Sequence, residues 1–157
     1  MATPPPTSSA PWSFQESDNT ITVALGGDFD EAVARSLDAA LRERMTRTTP
    51  GTYSVVFDLN GLRRCSVEGR AILAELQRHL GGIARRTAYV TNRPLFRGVA
   101  LWICHSAPDA NARTFPSTGH ANAWLESSDN RGDVLEQGAV QWVARAKTLT
   151  FAKEATP

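Results

Sequence analysis

The sequence is poor in lysine and contains no long apolar run. Of its 17 basic residues only Lys147 and Lys153 are lysines, and the other fifteen are arginines. The 16 acidic residues leave a formal net charge of +1, which argues against a dedicated nucleic-acid-binding domain and against an acidic disordered chain. No apolar stretch approaches the roughly 18 residues that a membrane-spanning helix needs, so we expect no transmembrane segment.

Cysteine and histidine are too few and too scattered to predict a metal site. Cys65 and Cys104 do not form a CxxC pair, and no histidine stands at metal-ligand spacing from them. The dinucleotide-binding GxGxxG pattern and the P-loop pattern are both absent. We therefore expect no metal, no cofactor and no catalysis. An enzyme with Cys65 as nucleophile ranks third, after two kinds of binding module, because the sequence places no base beside this thiol.

The 157 residues suit one compact domain between two tails. Residues 1–11 contain four prolines, which predicts a disordered tail. They lack the basic and apolar regions of a secretory signal, so we expect a cytoplasmic protein with reduced thiols. The ordered domain is predicted over residues 12–126. Residues 127–157 are predicted to be a linker and a weakly amphipathic extension, which either folds back on the domain or orders on a partner.

Between the tails, the apolar periodicity predicts the element order ββαβαβαβα. Ile21, Val23 and Leu25 alternate with smaller or polar residues, as in a half-buried strand. This strand belongs to an opening hairpin that turns at Asp18–Asn19 and ends at Gly26–Gly27. Strands that alternate with helices predict an α/β fold, with a mixed but mainly parallel sheet of about five strands and an antiparallel edge.

Four helices are predicted from their starts and their apolar faces. Asp28 begins a capping-box pattern for the first helix, and Ser66 is the predicted N-cap of the second. Pro94 stands in the first turn of the third helix, and Leu95 is assigned to the apolar face of that helix. Thr118 is predicted to cap the short fourth helix.

The stretch from Val55 to Leu73 is the most informative part of the chain. It begins within the predicted buried strand Tyr53–Phe57, continues through a predicted tight loop at Asp58–Leu62, and enters a helix that begins at the carboxyl end of the sheet. In open α/β sheets, ligands and partners bind at that edge. Free backbone N–H groups at the helix start also favour an anion there.

This stretch resembles the core of the STAS domain, the fold of bacterial anti-sigma factor antagonists. Asp58-Leu-Asn-Gly-Leu62 matches the family pattern Asp-Leu-Ser/Asn-Gly-Val/Leu, and Gly69 falls on the glycine that follows the family phosphoacceptor. The segment 90–99 is similar to the SpoIIAA-like branch, and the element order over 12–126 agrees. The resemblance implies a STAS-like fold and a non-catalytic protein-binding module in bacterial signalling, whose partner is an anti-sigma kinase or another regulator.

The chain departs from the family at the phosphoacceptor. Ser66-Val-Glu-Gly69 stands where the family has Asp-Ser-Ser-Gly, so Glu68 occupies the acceptor position. A glutamate cannot be phosphorylated, and its charge is favourable beside a helix N-terminus. The usual serine phosphoswitch is therefore not expected at this position. Ser66 is a candidate phosphorylation site, although its role as an N-cap is favoured.

Five arginines flank two strand-to-helix junctions, namely Arg63, Arg64, Arg70, Arg93 and Arg97. Both junctions lie at the same edge of a parallel sheet, so these residues form either a basic rim for an acidic partner or phosphate, or ordinary solvated surface charges. We predict a partner-binding face composed of Ser66, Glu68, Gly69, Arg70, Arg93 and Arg97. The alternative is a domain that uses the same rim to bind the anionic group of a small molecule or lipid head group.

Overall fold

A computed structural model of the chain describes residues 11–127. Its elements are β1 (Trp12–Ser17), β2 (Thr20–Phe29), α1 (Glu31–Thr46), β3 (Ser54–Cys65), α2 (Val67–Leu80), β4 (Thr87–Val90), α3 (Pro94–Ser106), β5 (Ala112–Phe115) and α4 (Thr118–Glu126). The predicted order of elements is confirmed. The chain divides into two compact units, Met1–Ala121 and Asn122–Pro157. The predicted tail and extension lie outside the described residues, apart from Pro11 and Ser127.

The five strands form one sheet in the order β1-β2-β3-β4-β5. β1 is antiparallel to β2, and every other neighbouring pair is parallel, so the mainly parallel sheet with an antiparallel edge is confirmed. Asp18 and Asn19 form the hairpin turn with φ values of 48° and 60°. Two consecutive residues with positive φ are typical of the two-residue turns whose twist matches that of the flanking strands.

The predicted boundary of the hairpin and the predicted loop at Asp58–Leu62 are both wrong. β2 continues past Gly26–Gly27, and β3 continues past the loop positions, so that the two strands pair as far as Phe29 and Cys65. Two register shifts interrupt this pairing, and Gly27 adopts φ +64° beside one of them. A bulge with a glycine of positive φ lets paired strands bend without breaking the ladder.

Two helix starts differ from their predicted positions. Asp28 lies within β2, and Asp30 caps α1 by accepting a hydrogen bond at 3.0 Å from the Val33 amide. The extra strand residues move the helix start two positions along the chain. Ser117 rather than Thr118 caps α4, since its hydroxyl oxygen accepts a hydrogen bond at 3.2 Å from the amide three residues later.

The hydrophobic core lies between one face of the sheet and helices α1–α3. Each parallel connection steps to the next strand in the same direction, and the right-handed rule for such connections places all three helices on one face. The buried cluster includes Val23, Phe57 and Tyr89 from the strands and Leu37, Leu73 and Ile103 from the helices. Burying each such side chain contributes about 1.5–3 kcal/mol. This core fixes where the helices begin at the carboxyl edge of the sheet.

Candidate functional site

The start of α2 is held against the end of β2. The Ser66 hydroxyl oxygen accepts a hydrogen bond at 2.9 Å from the Gly69 amide, which confirms Ser66 as the N-cap. The Ser66 amide in turn donates at 2.9 Å to the Phe29 carbonyl oxygen. The helix start is therefore capped by its own serine and tied to β2, and Val67 and Glu68 are exposed beside it.

Gly69 is a glycine because α2 packs directly on the backbone of β2. A Cβ at this position would lie 2.7 Å from the Phe29 carbonyl oxygen and 3.1 Å from the Phe29 ring. A contact of 2.7 Å is too short for a Cβ atom, and it cannot be relieved by a side-chain movement because the Phe29 oxygen belongs to the backbone. The glycine that carries the family resemblance therefore has a packing role in this chain.

Glu68 lies in the first turn of α2 and borders an open groove between the starts of α1 and α2. The groove has a volume of about 480 Å³ and is also lined by Asp30, Glu31, Ala32, Arg35 and Ser66. Glu31 pairs with Arg35 at 2.8 Å. Glu68 is exposed and forms no ion pair among residues 11–127. Its negative charge is therefore available at the surface.

Arg63 and Arg64 lie at the end of β3 and are exposed. Arg63 pairs with Asp28 across the β2–β3 ladder at 3.0 Å. The hydrogen bond from Arg63 lowers the pKa of Asp28, and the charge of Arg64 adds a smaller effect in the same direction. One arginine of the predicted rim is thus paired within the domain, whereas Arg64 forms no ion pair in the described part of the chain.

Arg70 and Arg93 connect elements at this edge of the sheet. The Arg70 guanidinium lies 4.7 Å from the centre of the Trp102 ring, which links α2 to α3. Arg93 donates through Nη1 to the Leu62 carbonyl oxygen and lies 4.4 Å from the centre of the Phe96 ring. Both arginines are therefore oriented by aromatic rings, an arrangement that suits the planar guanidinium better than it suits lysine.

Two large apolar side chains at this edge are exposed. Val67 is 64% exposed and Leu95 is 70% exposed, so the assignment of Leu95 to the buried face of its helix is wrong. Phe96, Ala100 and Ile103 form that buried face instead. The signal was present in the spacing, because the intervals of four and three residues from Phe96 leave Leu95 about 100° around the helix.

The structure therefore brings Ser66, Val67 and Glu68 to the same edge as Arg93, Leu95 and Arg97. Arg97 is exposed and has no ion-pair partner among the described residues. Within residues 11–127, no group of three or more His, Cys, Asp or Glu side chains is placed to hold a metal ion. No helix in that range is long and apolar enough to cross a membrane.

Both cysteines are expected to react slowly with a chromogenic disulfide reagent at pH 8. Burial raises the pKa of Cys65 from its ordinary 9.0 to about 11 against a smaller opposing effect of Arg70, and burial with the charge of Asp109 raises that of Cys104 to about 12. At pH 8, a thiol with a pKa of about 11 has a thiolate fraction about 100-fold lower than a thiol with a pKa of 9.0. We expect labelling at least about 50-fold slower than in the urea-unfolded chain, and equal rates would contradict the partial burial of these residues.

The same pKa shifts determine how the stability of the folded protein changes at alkaline pH. Because the thiols ionise at higher pH in the folded protein than in the unfolded chain, their contribution to stability is complete below pH 9 and is lost as the pH rises through about 11 to 12. The double variant Cys65→Ala, Cys104→Ala removes this contribution and serves as the control in a pH series of melting temperatures.

A family model described as "Mlab, STAS domain" matches residues 12–101. The chain aligns with an anti-sigma factor antagonist from Mycobacterium paratuberculosis at a TM-score of 0.57 and 20% identity, over 74% of this chain and 93% of that chain. It aligns with an uncharacterized protein of SpoIIAA-like fold from Shewanella loihica at 0.56 and 15%, over 73% and 91%. A comparison with proteins of curated function gives no match.

The phosphorylated form of the Bacillus cell fate determinant SpoIIAA aligns at a TM-score of 0.52 and 14% identity, over 73% of this chain and 99% of that chain. At these identities the structural similarities establish the fold alone. They confirm the SpoIIAA-like architecture that the sequence predicts.

Proposed function

Because this chain belongs to the STAS domain family, we propose that it is a non-catalytic protein-binding module of the anti-sigma factor antagonist type. Its binding face consists of the helix start at Ser66–Arg70 and the helix start at Arg93–Arg97, and its partner is a regulatory protein of bacterial signalling. The family and the fold support this class of function. The exposed side chains at the carboxyl edge of the sheet support this choice of face.

The exposure of Val67 and Leu95 is the observation that carries the proposal. Each stands at the beginning of a helix, and their exposed fractions are 64% and 70%. Exposed charged residues stand next to Val67 and on α3, namely Glu68 and Arg97. Apolar anchors within a polar rim are the usual anatomy of a protein–protein interface.

Glu68 gives the proposed face a permanent negative charge. A carboxylate cannot accept a phosphoryl group, so partner binding through this position is not switched by phosphorylation of residue 68. The hydroxyl of Ser66 is engaged as the N-cap. A phosphate on Ser66 would add about −1.5 to −2 charge close to Glu68 and would replace that cap.

Val67→Asp and Glu68→Lys are each expected to reduce recovery of the native partner at least about tenfold. Val67→Asp removes an apolar anchor, and Glu68→Lys reverses the charge beside it. Full-length tagged protein is used to capture partners from the native lysate, with quantification by mass spectrometry. Glu75→Lys is the matched control, because Glu75 is an exposed residue of α2 that lies seven positions beyond Glu68.

Folding of each variant is checked by thermal denaturation. An aspartate in the first turn of α2 is favourable toward the helix dipole, so Val67→Asp is not expected to unfold the domain. If the two variants recover the same partners as the wild type, or if Glu75→Lys loses them equally, the proposed face is wrong.

An anion-binding function is the alternative, and it has an observation of its own. Arg64 and Arg97 have no ion-pair partner within residues 11–127, and the start of α3 has no side-chain cap. Unpaired arginines beside free amides suit a phosphate. A rise in melting temperature with a nucleotide or phospholipid head group, lost in Arg97→Glu, would favour this function over protein binding.

A further inference from the structure

The outward face of α3 carries an apolar ridge that the core does not use. Leu95, Gly98 and Leu101 follow one another at intervals of three residues, and all are exposed, with Leu101 46% exposed. The buried face of the same helix is formed by Phe96, Ala100 and Ile103. We call residues Leu95, Gly98 and Leu101 the α3 ridge.

Gly98 has no role inside the described part of the molecule. A Cβ at this position would meet no atom within 4 Å, and the backbone is not in the left-handed region. Gly69, by contrast, is required because its helix packs on the Phe29 backbone. Glycine is the least favourable residue in a helix interior after proline. The exposed glycine in the middle of α3 leaves the helix backbone open to close approach from outside.

The positive charge of α3 restricts which partners suit the α3 ridge. Residues 94–106 include no aspartate or glutamate, and the exposed Arg97 stands four positions before Leu101, on the same side of the helix. The α3 N-terminus lacks a side-chain cap, so its free amides add positive potential. A second copy of this chain fits poorly, because another α3 would bring a second Arg97 and no carboxylate to face it.

We propose that the α3 ridge is the docking site for an acidic amphipathic helix of a partner protein. The partner helix crosses α3 at Gly98, where the missing side chain lets the two backbones approach closely. Its apolar side chains contact Leu95 and Leu101, and its carboxylates face Arg97. The inference rests on the proposed protein-binding function and extends the binding surface along α3.

Two synthetic 18-residue amphipathic peptides test the proposal. Both have the same leucine and alanine face, which is flanked by glutamates in one peptide and by lysines in the other. The full chain is expected to bind the glutamate peptide at least tenfold more tightly in calorimetry. The largest amide shifts in nuclear magnetic resonance are expected at residues 95–101.

Two substitutions at Gly98 separate binding from stability. Gly98→Ala is expected to raise the melting temperature, because alanine favours the helix and its Cβ meets open space. The same substitution is expected to weaken binding of the glutamate peptide several-fold. Gly98→Trp is expected to abolish binding while the domain stays folded. A structural role for Gly98 predicts the opposite for Gly98→Ala, a lower melting temperature.

The proposal is overturned if neither peptide binds, if the lysine peptide binds equally well, or if Gly98→Trp binds like the wild type. Concentration-dependent dimerisation that Gly98→Trp abolishes would instead assign the ridge to a second copy. Binding to phosphatidylglycerol vesicles with the same dependence would assign it to a membrane. If the native partner is lost in Val67→Asp but retained in Gly98→Trp, the ridge proposal fails and the proposed function stands.

Discussion

Replacing Gln77 with alanine is expected to lower the free energy of unfolding by about 2–4 kcal/mol. Gln77 lies in α2 and is fully buried. Tyr89 in β4 donates its hydroxyl at 2.5 Å to Gln77 Oε1, and Gln77 Nε2 donates at 3.2 Å to Asp109 Oδ2. The substitution leaves a buried hydroxyl without an acceptor and opens a cavity beside it.

The Tyr89 hydroxyl is protonated at neutral pH and acts as a hydrogen-bond donor to Gln77. Burial is the main cause that raises the pKa of Tyr89 well above its ordinary range, with smaller contributions from the charges of Cys104 and Asp109. The phenol therefore stays protonated and needs an acceptor. An unsatisfied buried hydroxyl costs about 1–3 kcal/mol, and the lost side-chain volume of Gln77 adds to this cost.

A double-mutant cycle separates the hydrogen bond from the packing. Gln77→Met preserves most of the volume, and Tyr89→Phe removes the hydroxyl. If the hydrogen bond contributes to stability, the double variant loses less free energy of unfolding than the two single variants lose in sum, because it leaves no unpaired phenol. Denaturant unfolding measures the free energy of unfolding of each variant, with Glu75→Ala as an exposed control in the same helix. Additive losses would show that the Tyr89–Gln77 contact contributes nothing beyond packing.

Gly69→Ala is expected to lower the free energy of unfolding by about 1–3 kcal/mol, and Gly69→Val is expected to cost more. The new Cβ would stand 2.7 Å from the Phe29 carbonyl oxygen. To relieve this contact, α2 must move away from β2, which weakens the hydrogen bond between the Ser66 amide and the same carbonyl.

Gly98→Ala is the matched control for Gly69→Ala, since the same change is made in a neighbouring helix where the Cβ meets open space. The first substitution lowers the melting temperature and the second raises it if sterics decide the outcome. Equal effects of one sign would show that helix propensity alone governs both positions. Urea titration provides the free energies, and the slope of the transition checks that the unfolded state is unchanged.

The site at the carboxyl edge was only partly predictable. Ser66 as N-cap followed from a short rule about residue type and position, and the structure confirms it. The exposure of Val67 did not follow, because apolar periodicity describes which face of a helix is apolar but not what covers it. Gln77, which lies outside this site near the end of α2, was missed for the opposite reason: a polar residue is buried when its partners come from β4 and from the loop before β5.

Local patterns in the sequence determined the order of elements, the mainly parallel sheet and the family to which the chain belongs. These depend on periods of two and 3.6 residues, on caps and on turns, all of which act within a few positions. Tertiary structure alone decided that β2 and β3 continue to Phe29 and Cys65, and it decided which arginines are paired or stacked. Strand pairing and side-chain contacts join residues that are distant in sequence, so their energies are absent from any local window.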